Sequence, residues 1–396
     1  MKIAFVTPWY GPNIPGGAES EARRTLAHLH AAGYDVEVLT TCIRDFYAPW
    51  DKNHYPPGAD TVDGIPVRRF PVGRRDKAAF DAVNWQLMQG RRVSPADEHT
   101  YINEMFRCPD LLAHIESRAA DTLFFFIPYM FATTYFGAQI HPRHTAVIPC
   151  LHDEAYAYMD LYKQVLPHAH TLILHTPSEL ALANRLFGPP NGQQRLVVGE
   201  GVDSDFTADA NRFRRKYGLD GPFFLYAGRR ESGKNVPLLL DYWQRYAAET
   251  PTAVPLVFIG PGDLALPPGL AGRAVDLGFV PLQDKYDAYA AATALCQPSQ
   301  NESFSLVLME AWLAGTPALV NGRCAVTRDH CRLSNGGLYF NNYPEFAATV
   351  NYLLAHPDTA RQMGQNGRRY VLANFQWPAI IQKYAAIINH MTPNTP

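Results

Sequence analysis

Two carboxylates raise the first chemical question. In "SQNESFSLVLMEAWLAG", residues 299–315, Glu302 precedes an apolar run and Glu310 lies inside it. An ionised carboxylate in apolar surroundings is costly unless hydrogen-bond donors meet it. It can only accept hydrogen bonds, and a vicinal diol such as a ribose offers two donors at suitable spacing. The stretch reads as a loop and then a helix ending at Gly315. Ser303 or Ser305 would cap that helix, leaving the amides of Phe304, Ser305 and Leu306 facing an anion. Glu302, at the loop tip, would then accept from hydroxyls lying beyond a phosphate.

Three further segments have the same strand, loop and helix layout. In "FLYAGRRESGKN", residues 224–235, Arg229 follows the strand directly and Lys234 closes the loop. Two cations there can clamp a leaving diphosphate, whose charge grows as the bond to it breaks; the loop also reads as a solvated basic turn. It is not a Walker loop, because G-K-[ST] is absent. In "TPWYGPNIPGGAES", residues 7–20, Gly16 and Gly17 permit close backbone approach ahead of a helix opening near Ala18, a second seat for an anion. A plain turn with Glu19 complementing the helix dipole is the other reading, and the G-x-G-x-x-G fingerprint is absent. "IPCLHDEAYAY", residues 148–158, places His152, Asp153 and Glu154 after a strand, where a histidine is either a satisfied core residue or a reacting group.

These segments need strands to hold them. "KIAFVT", "DVEVLT", "PVRRF", "LFFFI", "AVIPC", "TLILHT" and "RLVVG" occupy the first half of the 396 residues, with helical stretches between. "FFLYAG", "PLVFIG", "AVDLG", "ALCQP", "PALV" and "GLYF" repeat the alternation, so two doubly wound α/β domains are expected. The chain exceeds the usual size of one core. The polar segment 199–222 reads as the junction, and ligands in such folds bind beyond the carboxyl ends of the strands. Ile380, Ile381, Tyr384, Ile387 and Ile388 give the tail an amphipathic helical face that must be buried.

A formal net charge of -2 provides no basic field for nucleic acid. Six scattered cysteines without framework spacing suggest a reducing compartment. Cys324, His330 and Cys331 lack a fourth ligand for a metal site. "MKIAFVTP" reads as a first strand rather than a signal peptide, so a cytoplasmic location is expected. The uncharged stretch Thr122–Ile140 is long enough for a membrane helix, but Pro128 and Gly137 favour a strand, a turn and a helix. Arg68, Arg69, Arg74, Arg75, Lys77, Arg91 and Arg92 concentrate in the first half; they suit either peripheral contact with anionic lipid or a solvated face.

The order Gly-Gly loop, H-D-E, G-V-D, G-R with a lysine five residues on, and E-x7-E resembles the retaining GT-B glycosyltransferases of family four, the group 1 glycosyl transferases. The resemblance covers almost the whole chain. It implies two Rossmann-like domains facing across a cleft, 1–203 on the acceptor side and 204–376 binding the nucleotide sugar. The final helix, 377–396, would cross back to the first domain. Carried over by motif, Glu310 holds the ribose, and Glu302 and His152 act at the transferred sugar. Arg229, Lys234, Phe304, Ser305, Leu306, Gly16 and Gly17 bind the diphosphate.

The implied reaction is metal-independent transfer from a nucleoside diphosphate sugar, with no cofactor, to a carbohydrate or lipid-linked hydroxyl acceptor. Two departures touch the sugar: Ser303-Phe304-Ser305 stands where Gly-Phe-Gly is common, and "NGRCAVTRDHC" replaces the usual Gly-Gly and Pro-Glu after "GTPALV". The D-x-D at Asp203 and Asp205 lies in the linker and reads as coincidence. The competing readings are a nucleotide-sugar 2-epimerase of similar fold and a non-catalytic sugar-nucleotide-binding subunit.

Overall fold

The computed structural model describes residues 1–12, 14, 16–118, 121–230, 232–250 and 254–392. The chain divides into unit 1, Met1–Gly201 with Trp377–Pro396, and unit 2, Val202–Gln376.

Among the described residues unit 1 holds eight strands: β1 (Lys2–Thr7), β2 (Val36–Thr41), β3 (Gly58–Val62), β4 (Ile65–Phe70), β5 (Thr122–Phe126), β6 (Thr145–Val147), β7 (Thr171–Leu174) and β8 (Gln194–Val197). Their order across the sheet is β3-β4-β2-β1-β5-β6-β7-β8. Every pair is parallel except β3–β4. Leu123 through Ile127 are fully buried, as a central parallel strand covered on both faces requires. Phe5 and Phe125 are register partners whose rings stack at 5.3 Å.

Strand β3 is not among the strands that the apolar runs of the sequence predict. Its residues are mostly exposed, so it lacks an apolar run. The two-residue Asp63-Gly64 turn, with φ of 50° and 80°, is the hairpin signal that marks it.

The uncharged stretch resolves into β5, a cis Ile127–Pro128 bond and a helix at Ala132–Gly137. Among the described residues no helix is long and apolar enough to cross a membrane. The last helix, Trp377–Met391, buries Ile380, Tyr384, Ile387 and Ile388 within unit 1. Trp377 stacks on His28 at 4.0 Å, and a Cβ on Gly201 would lie 2.4 Å from the indole.

Unit 2 holds β9 (Phe224–Ala227), β10 (Leu256–Ile259), β11 (Ala274–Asp276), β12 (Ala294–Gln297), β13 (Ala318–Asn321) and β14 (Gly337–Phe340), all parallel, in the order β11-β10-β9-β12-β13-β14. The polar segment taken as a junction contains a helix, Ala210–Tyr217, capped by Asp209 and stopped by left-handed Gly218. Phe213 is its one buried side chain, which is why no apolar periodicity revealed it.

The helix Leu306–Leu313 follows β12 and is held from behind by the helix Pro357–Asn374. Gly364 and Gly367 make that approach possible, since their Cβ atoms would fall 1.8 Å from the Gly315 carbonyl oxygen and 2.3 Å from the Trp312 ring. Alanine at a helical glycine normally gains about 1 kcal/mol. Overpacking against backbone costs about 1–3 kcal/mol, so the clash wins. Gly364→Ala should therefore lower stability in denaturant unfolding; a stabilised variant would contradict this packing.

Candidate active site

In unit 2 the site residues leave the carboxyl ends of β9 and β12, which are neighbours in the sheet. Gln297 ends β12, and its buried amide organises the loop that follows. Its Nε2 donates to Glu302 Oε1 at 3.0 Å and lies 2.6 Å from Ser305 Oγ, which in turn donates to Gln297 Oε1 at 2.9 Å. Ser305 therefore does not cap the helix as expected: it adopts a left-handed conformation, φ 77°, and spends its hydroxyl on Gln297. The Ser305 side chain makes no cap hydrogen bond, and a helix N-terminus favours negative charge. Phe304 is buried, its ring 4.9 Å from Phe375 and 5.4 Å from His330. Its side chain anchors the loop.

The two glutamates are met by the protein itself. Glu302 receives Lys234 Nζ at 2.8 Å, and its side chain is only 9% exposed. Glu310 receives Lys285 Nζ at 2.8 Å and Tyr289 Oη at 2.9 Å. The expectation that an incoming ligand must provide the donors for Glu310 is thus corrected. Burial, and then the charge of Glu310, push the Tyr289 phenol well above its ordinary pKa, so it stays a donor.

Sequence reasoning missed Lys285, Tyr289 and Gln297. Lys285 and Tyr289 sit four apart on the helix Leu282–Ala291, a spacing that places them on one face, yet nothing in the sequence tied that face to Glu310.

Arg229 is half-buried, and its backbone carbonyl accepts from Tyr226 Oη. Its neighbour Arg230 is committed to structure, pairing with Asp276 and donating to the Gly262 carbonyl at 2.8 Å. Lys234 is paired with Glu302, so the cation expected at the far end of the loop stands there as half of an ion pair. Asn235, left-handed at φ 55°, and Asn321 both donate to the Pro298 carbonyl, at 3.1 Å and 2.9 Å. These bonds fasten the loops after β9, β12 and β13 together.

In unit 1, Gly16 has φ 143° and caps the helix Gly17–Ala31 without a side chain. A Cβ there would fall 1.8 Å from Glu19 Oε2, and Glu19 Oε1 accepts from Trp9 Nε1 at 2.7 Å. Asn13 and Pro15 of the same loop lie outside the described residues. His152 Nδ1 stands 3.4 Å from Glu154 Oε1, with the ring about one-third exposed. Asp153 is held by Arg185 at 2.5 Å and by Tyr158 Oη at 2.6 Å. Asp153 thus shapes the loop, while His152 keeps a solvent-facing ring.

The basic face is smaller than the sequence suggested. Arg69 is buried, donates to the Tyr10 carbonyl at 2.7 Å and lies 4.0 Å over the Tyr55 ring. Arg75 is half-buried, donating to the Met105 carbonyl at 2.6 Å. Arg68, Arg74, Lys77, Arg91 and Arg92 are exposed, and Lys77 pairs with Asp81. Among the described residues, Cys324, His330 and Cys331 do not form a cluster with metal spacing.

A parallel α/β pair with these residues at its strand ends defines a GT-B-type transferase, and comparison with known proteins agrees. The family model "Glycosyl transferases group 1" matches residues 208–370, and "Glycosyl transferase 4-like domain" matches residues 16–198. Phosphatidyl-myo-inositol mannosyltransferase of Mycobacterium tuberculosis is 31% identical over 83% of this chain and 79% of its own length. D-inositol 3-phosphate glycosyltransferase of Geodermatophilus obscurus is 31% identical over 57% of this chain; that match spans about half the relative, 53% of its length. Sucrose-phosphate synthase from Thermosynechococcus elongatus shares the fold at a TM-score of 0.72 and 18% identity, covering 98% of both chains. Anabaena HepE in complex with UDP does so at 0.71 and 16%, covering 98% of this chain and 100% of that one.

The chain belongs to the group 1 glycosyl transferases. Neither family model describes an epimerase.

A mostly buried pair such as Lys234–Glu302 should couple more strongly than a surface ion pair, which gives roughly 0–1 kcal/mol. A double-mutant cycle of Lys234→Met and Glu302→Gln should return a coupling of about 1–3 kcal/mol. A value near zero would contradict the pairing.

Proposed function

We propose that this protein transfers a glycosyl group from a nucleoside diphosphate sugar to a hydroxyl acceptor, with retention at the anomeric carbon, in polysaccharide or glycolipid assembly. One observation carries the reading. Along the chain from the end of β12 into the helix Leu306–Leu313 lie, in order, an acid with its lysine, a helix N-terminus whose first residue provides no side-chain cap, and a second acid with two donors. A sugar, a diphosphate and a ribose present hydroxyls, negative charge and a diol in that same order.

Glu302 accepts from the hydroxyls of the transferred sugar, and Glu310 accepts from the ribose diol. Both can do so while keeping a lysine, because a carboxylate has about four acceptor positions. The amides of Phe304, Ser305 and Leu306 meet the diphosphate, joined by Arg229 and Lys234. Those cations matter most as the glycosidic bond breaks, when charge accumulates on the departing oxygen. In unit 1, Gly16 and Gly17 add backbone amides for the diphosphate, and His152 positions the sugar near its reacting carbon. The cations do the work that a metal does elsewhere, so the reaction is metal-independent.

Relatives and neighbours support the donor class. HepE binds UDP, and a related Anabaena structure holds UDP-glucose. A trehalose-6-phosphate enzyme of E. coli binds UDP-2-fluoro glucose. A peripheral contact with a membrane carrying the acceptor is the finer proposal for unit 1. On the helix Lys77–Met88, Trp85 and Met88 are 63% and 61% exposed, and Arg91 and Arg92 follow. Exposed aromatic and thioether groups beside arginine suit an anionic lipid interface.

A thermal-shift panel of nucleoside diphosphates tests the reading first. The correct base, at a hundred times its Kd, should stabilise by about 2.7 kcal/mol. No shift with any diphosphate would sink the proposal. Arg229→Ala should then lower kcat by roughly a hundredfold with little change in KM. Excess EDTA should leave the rate of the wild type unaltered. Anionic vesicles should co-sediment the protein at low salt and lose it when Trp85→Ser and Met88→Ser are combined; equal binding by the variant would remove the membrane contact.

A further inference from the structure

Behind the His152 loop, unit 1 contains a fully buried set of charged groups that the transfer reaction does not use. His175, at the carboxyl end of β7, is 1% exposed. Its Nε2 lies 2.7 Å from Glu21 Oε1 on the helix Gly17–Ala31. Its Nδ1 lies 3.1 Å from Glu179 Oε2 on the helix Pro177–Phe187. Glu21 and Glu179 are themselves 3% and 1% exposed.

An ionised carboxylate only accepts, so a ring placed between two of them meets both when each of its nitrogens carries a proton. Burial works against that charge, yet Glu21 and Glu179 outweigh it and hold the imidazole well above its ordinary pKa.

The geometry continues outward from this centre. Glu179 Oε1 accepts the backbone N–H of Leu151 at 2.7 Å, and its other oxygen accepts the His175 N–H at 2.6 Å. Glu21 Oε2 accepts from the Cys150 thiol at 3.7 Å. Cys150 is left-handed at φ 54°, a conformation a β-carbon disfavours, so the turn into Leu151 and His152 needs outside support. Burial, and then Glu21, push the Cys150 thiol up, so it remains a neutral donor. One end of the relay is thus the helix that Gly16 and Gly17 open, and the other is the residue preceding His152.

An isolated structural salt bridge would end on two side chains. This one ends on a strained backbone and on a catalytic candidate's neighbouring amide. Replacing a buried ion network by apolar residues is often neutral or stabilising, so stability alone does not explain keeping three ionisable groups in a core.

We propose that Glu21, His175 and Glu179 are positioning residues: a buried relay that fixes the His152 loop against the glycine-opened helix and so sets where His152 meets the transferred sugar. The proposal rests on the glycosyltransferase reading of His152. None of the three residues touches substrate. Their effect reaches the reaction through the Leu151 amide and the Cys150 turn.

The test combines hydrogen exchange with kinetics in the full-length chain. Glu179→Gln keeps the side-chain shape but cannot accept from Leu151 N–H, His175 N–H and the imidazolium together. Opening of the Leu151 amide should become about tenfold or more frequent, with distant amides of the β1–β5 core unchanged. Transfer kcat should fall by about tenfold or more with the donor KM within about twofold, since Glu179→Gln leaves Glu302, Glu310, Arg229 and Lys234 of unit 2 and the Gly16–Gly17 backbone in place. His175→Gln should behave alike, and Glu21→Gln, which keeps an acceptor for the ring, should lose less. If Glu179→Gln fails to fold, Glu21→Gln and His175→Gln report the same relay from its other members.

Unaltered Leu151 exchange in folded Glu179→Gln would overturn the relay. So would equal losses of kcat and of nucleotide-induced stabilisation, which mark general damage. The two readings separate cleanly: full transfer activity in His152→Ala would sink the role of His152, whereas the exchange result reports the relay whatever His152 does.

Discussion

Glu302, Glu310, Glu21 and Glu179 are all withdrawn from bulk water, and an ionised carboxylate so placed must be met by donors or be neutralised. Each is met by a residue from a different element: Lys234 for Glu302, Lys285 and Tyr289 for Glu310, and His175 for Glu21 and Glu179. That requirement ties distant segments of the chain to single points. Breaking a buried pair by removing one partner costs about 3–5 kcal/mol, far more than a surface bridge contributes. The strand-end loops are consequently held by charge as well as by packing, and the acceptors they carry have their orientation already set. Pre-set dipoles of this kind stabilise developing charge without reorganising at the moment of reaction.

The parallel sheets explain why those points fall where they do. With every strand of unit 2 parallel, all loops leaving the carboxyl edge emerge on one side, and β9 and β12 adjoin. Gln297, Asn235 and Asn321 convert adjacency into register by bonding Ser305, Glu302 and the Pro298 carbonyl. The helix Leu306–Leu313 is pressed forward by Pro357–Asn374 through Gly364 and Gly367. Glycine there serves close approach, and at Gly16 it serves a positive φ against Glu19. Within unit 1, Gly201 makes room for Trp377, and the last helix sets Tyr384 against Phe125 of the first sheet.

Much of this was legible because strands buried on both faces read as continuous apolar runs. Central strands such as β5 stand out in that way. The motif residues Glu302, Glu310, Arg229 and His152 could be picked out because charged groups beside apolar runs are rare. What stayed hidden was pairing. Lys285, Tyr289, Gln297 and His175 look like ordinary helix or strand residues, and only the three-dimensional fold brings them to a glutamate. Edge strand β3 and the helix Ala210–Tyr217 escaped for the opposite reason: they bury too little to leave a pattern. Ser305 was misread because capping preference describes a helix terminus in isolation, whereas Gln297 competes for the same hydroxyl.

The paired acids and the uncapped helix make sense together if the departing diphosphate stays on the face where the acceptor attacks, since the groups that bind it then also stabilise the reaction. Front-side attack of that kind leaves the anomeric configuration unchanged. The direct measurement is the anomeric proton coupling, by nuclear magnetic resonance, of product formed from an α-linked nucleoside diphosphate sugar before any equilibration. An α-linked product is the result predicted here. A β-linked product, formed at a comparable rate, would contradict the account at its centre.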